Sequence, residues 1–283
     1  MKQEKAIQRL CGIRHLALDM DGTIYAGATL FDFTRPFLQR MRELRIDYTF
    51  LTNNSSRSAR DYLVHLEKLD LGVRADQLFT SGLATVEYLR VNYPGCRRLF
   101  VLGTESLRDE FTESGFTVVG ESSPDEPEAV VVGFDTALGY ERLCKAGFWI
   151  DRGKPFIATH PDRTCPTDRQ TLLVDCGAIC ACLESATGRA PDVVLGKPHP
   201  CMLDGILSRH ELQPRQLAMV GDRLYTDMAM ARESGTLGVL VLSGEATAGD
   251  VKDCPKPPDL VLDNLAELGY LLEKANDSRE SSR

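Results

Sequence analysis

The sequence has no long apolar run. None of its hydrophobic stretches approaches the ~20 residues that a helix needs to cross a bilayer, so a membrane-spanning protein is not expected. The first ten residues, MKQEKAIQRL, also lack the apolar segment of a secretory signal. We therefore expect a cytoplasmic protein that does not act at a membrane.

Positive charge is scarce as well. Lys and Arg number 33 against 41 Asp and Glu, which gives a formal net charge of -8 at pH 7. This acidic balance argues against the broad basic surface of a nucleic-acid-binding protein, although it leaves room for a local positive pocket that holds one phosphate.

Several common binding motifs are absent. The nine cysteines form no CxxC pair, so Cys176, Cys180 and Cys182 are interpreted as buried thiols rather than as a metal site. No GxGxxG turn follows the first predicted strand, which disfavours a dinucleotide-binding protein. The Gly-Lys pair at 196–197 lacks the spacing of a P-loop.

What the sequence does contain is a series of short apolar runs that end in polar residues. Each has the length of a strand buried on both faces, and helical patterns lie between them, which predicts an α/β fold with a doubly wound parallel sheet. Ligands bind such sheets at the carboxyl ends of the strands. The runs that carry polar residues there are LALDMD (16–21), YTFLTNN (48–54), DVVLGK (192–197) and LAMVGD (217–222).

The middle of the chain breaks this rhythm with strand and helix candidates of its own. We predict a core formed by residues 1–83 and 190–283, into which a smaller α/β cap domain, residues 84–189, is inserted. The last nine residues, ANDSRESSR, are polar and lack periodicity, so we expect them to be frayed.

The strongest single signal is the run Asp19-Met20-Asp21-Gly22-Thr23 after an apolar strand. Carboxylates at positions i and i+2 point to the same side of an extended chain, so both can reach one reacting centre in different roles. Glycine permits a tight turn with the backbone close to a ligand. A surface turn of acidic residues is the alternative, and the preceding strand disfavours it.

A second acidic segment, with Asp222 and Asp227, follows the apolar run LAMV. Clustered carboxylates raise one another's pKa unless a cation lies between them. Oxygen ligands with a phosphate partner favour Mg²⁺ over Zn²⁺. For Asp227, a helix N-cap is a realistic alternative.

Two further segments offer partners for a phosphoryl group. Lys197, in the run GKP, supplies a compact ammonium, while Thr52, Asn53 and Asn54 supply a hydroxyl and amides that can donate to phosphate oxygens. Each segment is weak evidence alone, because most lysines are solvated and Asn-rich turns are common.

Taken in this order, the four segments resemble the motifs of the haloacid dehalogenase superfamily of phosphohydrolases. In finer detail, the chain is similar to the branch with a large α/β cap inserted after the second motif. That branch contains the 4-nitrophenylphosphatase-like enzymes, pyridoxal phosphate phosphatase and phosphoglycolate phosphatase. The stretches that carry the resemblance are DMDGTIYAG, LTNNSSRS, ATHPD and LESATGRAPDVVLGKPHP.

The resemblance implies a role for each motif residue. Asp19 is expected to be the nucleophile and Asp21 the general acid and base, with Thr52 and Lys197 holding the phosphoryl group. The implied Mg²⁺ ligands are Asp19, Asp21 through its backbone carbonyl, Asp222 and Asp227. The groups expected to contact phosphate or substrate are Gly22, Thr23, Asn53, Asn54, Lys197 and, from the cap, Asp135 and His160. For the two cap residues, a purely structural role is an equal alternative.

The expected function is Mg²⁺-dependent hydrolysis of a small soluble phosphomonoester through an aspartyl-phosphate on Asp19. A non-catalytic phosphate-binding sensor or scaffold on the same fold is the alternative, and a phosphotransferase also stays open. Sugar phosphates, nucleotide monophosphates, pyridoxal phosphate and phosphoglycolate all fit as substrates. The resemblance further implies that a homodimer can form through the cap.

Overall fold

The computed structural model describes residues 2–27, 29–167 and 170–280. Most of its strands are short and follow one another through helices. In chain order they are β1 (His15–Asp19), β2 (Tyr25–Ala26), β3 (Thr29–Leu30), β4 (Asp47–Thr52), β5 (Leu78–Thr80), β6 (Arg98–Leu102), β7 (Thr117–Val118), β8 (Ala129–Val132), β9 (Phe156–Ala158), β10 (Thr164–Cys165), β11 (Leu173–Val174), β12 (Val193–Val194), β13 (Leu217–Gly221), β14 (Leu237–Val241) and β15 (Leu260–Leu262).

Helices occupy most of the remaining chain. They are α1 (Lys2–Leu10), α2 (Thr34–Glu43), α3 (Ala59–Lys68), α4 (Ser81–Asn92), α5 (Glu105–Glu113), α6 (Tyr140–Asp151), α7 (Cys176–Thr187), α8 (Cys201–Arg209), α9 (Asp227–Glu233), α10 (Ala248–Asp253) and α11 (Leu265–Glu280). Across the described part of the chain, none of the helices combines the length and the apolar character needed to cross a bilayer.

The chain divides into two compact units. The first comprises Met1–Leu51 and Met202–Arg283, and the second comprises Thr52–Cys201. The segment after β4 belongs to the second unit because it forms a hydrogen bond within that unit. The Phe134 N–H donates to the Ser55 hydroxyl at 2.9 Å. This contact-based division differs from the predicted boundaries after residues 83 and 189, which stay a prediction.

The first unit is organised around a parallel sheet, in which its strands take the order β15-β14-β13-β1-β4. Strands β1, β13 and β14 are buried along their whole length, as expected for a sheet covered by helices. Helix α9 packs on β13 and β14, α1 and α11 reach β15, and α2 packs on α11.

The register of this sheet brings the ends of three strands level. Strand β1 lies between β13 and β4, with Leu18 opposite Val220 and Asp19 opposite Leu51. Because the strands are parallel, the residues that follow β1 and β13 extend from the same end of the sheet, the carboxyl end of its strands. That end carries the acidic residues described below.

The second unit is built on a parallel five-stranded sheet in the order β12-β9-β8-β6-β7. Alternate residues of β6 enter two separate cores. Phe100 packs in a cluster with Trp149 and Ile179 from the helices α6 and α7, whereas Leu99 packs in a second cluster with Leu107 from α5. The predicted α/β class with parallel sheets flanked by helices is confirmed.

One predicted strand is placed differently. The run 192–197 was expected to form a strand buried on both faces, yet only Val193–Val194 are extended, and they pair with β9 at the edge of the second unit's sheet. Val194 is 36% exposed. That prediction is wrong because an apolar run does not reveal which sheet it joins, and an edge strand has a neighbour on one side only.

The end of the chain is also more ordered than expected. Helix α11 continues to Glu280, so the expectation of a frayed segment from residue 275 is wrong. Ala275 is buried, and its packing extends the helix beyond the point at which the apolar pattern of the sequence fades. Residues 281–283 lie outside the described part of the chain.

Candidate active site

Three buried carboxylates meet at the carboxyl end of the first unit's sheet. Asp19, Asp222 and Asp227 each place one oxygen within 4.8 Å of the others. Their exposure is 6% or less. The structure therefore brings together two acidic segments that lie about 200 residues apart in the sequence.

The sheet explains why these residues meet. Asp19 is the last residue of β1, and Asp222 follows β13, the neighbouring strand. Asp227 is the first residue of α9, and its Oδ2 accepts a hydrogen bond from the Arg223 N–H at 3.1 Å. Asp227 thus stabilises the turn before its own helix and also faces the other two acids.

Within the acidic cluster, the carboxyls affect one another's titration. Burial, together with the charges of Asp19 and Asp227, raises the pKa of Asp222 to about 8. One guanidinium is close: burial acts to lower the pKa of Arg223, but the charge of Asp19 above all raises it. Arg223 is shared with Glu245, because its Nε lies 2.9 Å from Glu245 Oε2. Burial and the neighbouring acids therefore oppose the ionisation of Asp222.

A divalent cation fits this arrangement. Carboxylate oxygens are the donors that Mg²⁺ and Ca²⁺ prefer in proteins. Asp222 Oδ2 accepts a hydrogen bond from the Glu245 N–H at 2.7 Å, whereas the buried Oδ1 has no hydrogen-bond partner among the residues that the structure describes. Burying a carboxylate oxygen without a partner is costly, so this oxygen is suited to act as a metal ligand.

Two glycines make room for Asp222. A β-carbon on Gly22 would lie 2.2 Å from Asp222 Oδ2, and one on Gly244 would lie 2.0 Å from the same oxygen. Gly22 also has a φ of +82°, which residues with a side chain rarely adopt. The Ser243 hydroxyl connects the two turns by donating to the Gly22 carbonyl at 2.7 Å.

The turn after β14 is therefore part of the site, and the sequence analysis did not identify it. This turn supplies Ser243, Gly244 and the backbone N–H of Glu245. Its signal in the sequence is the apolar run 237–244, which ends in Ser and Gly. Unlike the runs that end in Asp19 and Asp222, it has no acidic residue at its end.

The remainder of the DMDGT run forms a tight turn. Asp21 is half-buried and bridges to Tyr25. The Gly22 N–H donates to the Tyr25 carbonyl at 2.8 Å, and the Thr23 N–H donates to the Met20 carbonyl at 3.2 Å. Both N–H groups are thus engaged within the turn.

In the second unit, Asn53 holds the backbone of Lys197. Its Oδ1 accepts a hydrogen bond from the Lys197 N–H at 2.6 Å, and its Nδ2 donates to the Lys197 carbonyl at 2.9 Å. Both residues are buried. The neighbouring Thr52 Oγ1 accepts from the Asn54 N–H at 3.1 Å. The second and third motifs therefore meet through a side-chain amide.

The two candidate cap residues are buried as well. Asp135 forms an ion pair with Arg142. His160 is fully buried, and each of its ring nitrogens lies 3.4 Å from a carboxylate oxygen, one of Asp162 and one of Asp175. Both candidates thus face charged partners from their own unit.

Two family models match the chain. A haloacid dehalogenase-like hydrolase model matches residues 16–117, and a HAD-hydrolase-like model matches residues 194–268. The matched segments contain Asp19, Thr52, Lys197 and Asp222.

Several of the similar proteins are named as phosphatases. The acid sugar phosphatase of Staphylococcus aureus is 31% identical over 257 residues, which cover 91% of this chain and 97% of the relative. The crystal structure of 4-nitrophenylphosphatase from Thermotoga maritima is 40% identical, with a TM-score of 0.87, and the match covers 93% of this chain and 98% of that one. The glycerol phosphate phosphatase of Mycobacterium tuberculosis in complex with magnesium is 29% identical, with a TM-score of 0.82 and coverage of 93% and 77%.

Proposed function

The chain belongs to the haloacid dehalogenase-like hydrolases and is a phosphoric monoester hydrolase, and we propose that it acts on a small soluble phosphomonoester through an aspartyl-phosphate on Asp19. The observation that carries this proposal is the meeting of Asp19, Asp222 and Asp227 in one buried acidic cluster. The family itself was predicted from the motifs and is confirmed by relatives that match nearly the whole chain.

Asp19 and Asp21 are proposed to share the chemistry. Asp19 attacks phosphorus in line and forms the aspartyl-phosphate while the ester oxygen leaves. Asp21 gives its proton to that oxygen and then removes a proton from the water that cleaves the intermediate. Two easier displacements replace one difficult displacement, which is the advantage of covalent catalysis. Asp21 is half-buried and Asp19 is buried, so the two acids lie in different environments, which supports different roles for them.

Mg²⁺ is the proposed cofactor. The residues that would hold it are Asp19, Asp222, Asp227 and, through its backbone carbonyl, Asp21. When bound, the ion neutralises charge on the phosphoryl oxygens. The oxygen-only donor set supports this choice, as does the magnesium complex of the mycobacterial relative, which has also been crystallised with calcium.

Lys197 and Thr52 are proposed to stabilise the phosphoryl group. The Lys197 ammonium opposes the negative charge that the transferring group carries, and the Thr52 hydroxyl donates to one of its oxygens. The double hydrogen bond from Asn53 to the Lys197 backbone supports this role, because a fixed backbone limits the movement of the side chain. Substrate contacts by Gly22, Thr23, Asn54, Asp135 and His160 stay predictions.

The substrate is proposed to be a small phosphorylated metabolite. The names of the relatives, which act on sugar, nitrophenyl and glycerol phosphates, favour this class over a macromolecule. The homodimer through the cap and the cytoplasmic location also stay predictions.

Turnover of p-nitrophenyl phosphate with and without Mg²⁺ tests the proposal against a non-catalytic phosphate-binding sensor on the same fold. Wild-type protein is expected to release phosphate only with the divalent ion, and acid quenching should trap a base-labile phosphate on Asp19. Asp19→Asn should lower kcat on the order of 10⁴-fold or more, because the nucleophile is lost.

The matched control for this variant is Asp47→Asn. Asp47 is exposed at the start of β4, the opposite end of that strand from the motif residues, and its replacement should leave kcat within about twofold. Activity like that of the wild type in Asp19→Asn would refute the proposed nucleophile.

A further inference from the structure

His160 lies at the centre of a buried charge cluster in the second unit. It follows β9 by two residues and has no exposed surface. Its Nδ1 lies 3.4 Å from Asp162 Oδ2, and its Nε2 lies 3.4 Å from Asp175 Oδ1. A ring with a carboxylate at each nitrogen is best satisfied when both nitrogens carry a proton.

The charges in this histidine cluster compensate one another. Burial acts to lower the pKa of His160, but the negative charges of the ionised Cys176 and of the two carboxylates raise it to about 9. Burial also acts to raise the pKa of Asp162, yet the contact with His160 lowers it overall, while burial raises the pKa of Asp175 to about 6. An imidazolium between two carboxylates is therefore the state at neutral pH.

Asp162 connects the histidine cluster to Lys197. Its Oδ2 accepts a hydrogen bond from Asn53 Nδ2 at 3.0 Å, and the same amide group binds both backbone polar groups of Lys197. The residue before Lys197 also packs closely on the histidine, because a β-carbon on Gly196 would lie 2.7 Å from His160 Cβ. His160 thus supports Lys197 through its ion pair with Asp162, which is hydrogen-bonded to Asn53, and through direct packing.

Asp175 fixes the opposite side of the ring. It is the N-cap of α7, where its Oδ1 accepts a hydrogen bond from the Cys176 N–H at 2.6 Å. The next residue of that helix, Gly177, donates its N–H to the Asp162 carbonyl at 2.7 Å. The loop that carries His160 and Asp162 is therefore attached to a helix end at two points.

We propose that His160 is a positioning residue, which acts through Asp162 and Asn53 to hold Lys197 in place for phosphoryl binding. This inference rests on the proposed function, in which Lys197 contacts the phosphoryl group. Loss of the imidazolium removes the positive charge between the buried Asp175 and the partly buried Asp162 and frees Asp162 to move away from Asn53. A displacement of about 1 Å at a catalytic group can cost on the order of 10²-fold in rate.

The test compares His160→Gln, Asp162→Asn and the double variant with the wild type. For each single variant, we expect kcat/KM for p-nitrophenyl phosphate with Mg²⁺ to fall at least about tenfold, and the inhibition constant of inorganic phosphate to rise by about fivefold or more. Since both residues act on one path, the double variant should be within about threefold of the poorer single variant. If the losses of the two single variants multiply in the double variant, the inference is overturned. Single-variant values within about twofold of the wild type also overturn it.

A second readout reports on Lys197 without any turnover. The modification rate of Lys197 by an amine-reactive reagent, measured by peptide mass spectrometry, should rise about tenfold in His160→Gln and in Asp162→Asn, because a loosened backbone exposes the buried ammonium. An unchanged rate overturns the inference. If the wild type has no phosphatase activity, the proposed function fails, and the modification rate alone then decides the role of His160.

Glu110→Gln is the matched control. Glu110 is another buried ionisable residue of the second unit, and it bonds to the Ala59 N–H at 2.7 Å rather than to the Asn53–Lys197 pair. This control should leave both kcat/KM and the modification rate of Lys197 within about twofold of the wild type. A control that matches His160→Gln in both readouts assigns the effect to general loosening of the unit and overturns the inference.

Discussion

The two units of the molecule each bury a group of carboxylates, but they compensate the charge in different ways. In the first unit, burial and the charges of Asp19 and Asp227 raise the pKa of Asp222 to about 8, and the nearby Arg223 is also paired with Glu245. In the second unit, two acids flank an imidazole of the same chain, and the pKa of Asp162 falls.

This difference separates a binding site from a supporting structure. A group of buried carboxyls in which burial and mutual repulsion raise a pKa gains stability when a cation binds. A group that the chain neutralises by itself has no such need, and it can serve to hold neighbouring residues in place. The acidic cluster therefore fits a metal site, and the histidine cluster fits a positioning role.

The largest effect is expected for Asp222→Asn, which removes both a charge and a ligand from the acidic cluster. The Mg²⁺ concentration for half-maximal activity should rise about 100-fold or more, because the loss of an outer partner alone typically costs 10–100-fold. The rise in Tm that Mg²⁺ produces in the wild type should largely disappear. In EDTA, the Tm of the variant should be higher than that of the wild type, because the repulsion between the Asp222 carboxyl and the other two acids is gone. A Mg²⁺-induced rise equal to that of the wild type contradicts the proposed ligand.

A smaller effect, on the pH dependence of stability, is expected for Glu110→Gln, which replaces a buried carboxyl of the second unit. Burial raises the pKa of Glu110 from 4.5 to about 7, so the folded chain holds a proton that the unfolded chain releases between these pH values. The contribution of Glu110 to stability is therefore present below about pH 4.5 and is lost as the pH rises to about 7. Each pKa unit corresponds to about 1.4 kcal/mol, which predicts a total on the order of a few kcal/mol.

Urea unfolding of the wild type and Glu110→Gln at pH 5 and pH 8 measures this contribution of Glu110 to the free energy of unfolding. The variant should gain stability relative to the wild type between the two pH values, since glutamine does not titrate. Parallel pH profiles for the two proteins mean that Glu110 is ionised in the fold as it is in water, and they contradict the prediction.

The smallest effect is expected for Ser243→Ala. The lost hydrogen bond to the Gly22 carbonyl, at 2.7 Å, is worth about 1 kcal/mol, so the Mg²⁺ concentration for half-maximal activity should rise about fivefold. Ser234→Ala is the control, because the buried Ser234 Oγ has no hydrogen-bond partner in the described ranges. An equal change in both variants would assign the effect to general loosening of the first unit rather than to the turn after β14.

The strands that carry the acidic cluster could be predicted because their sequence signal is local. The apolar runs before Asp19 and Asp222 are continuous, and buried strands of this kind are recognisable without their partners. The two acidic motifs of the site were equally visible, since each sits at the end of such a strand.

The contacts that hold the second unit together could not be predicted. Asn53 and Lys197 are 144 positions apart, and Asn53 and Asp162 are 109 apart. Such bonds depend on how the sheets are assembled, and no spacing rule in the sequence encodes them. The edge strand β12 was misplaced for the same reason, because the choice between two sheets is made by tertiary packing.

The tight fit of Asp222 against Gly22 and Gly244 has a consequence for mutational tolerance. Neither glycine has a functional group, yet a single added methyl at either position would overlap a carboxylate oxygen of the acidic cluster. In a saturation library selected for activity, both positions should be as depleted of variants as the acids themselves. A ranking of positions by mutational tolerance alone would then count Gly22 and Gly244 as catalytic, although they only leave space for Asp222.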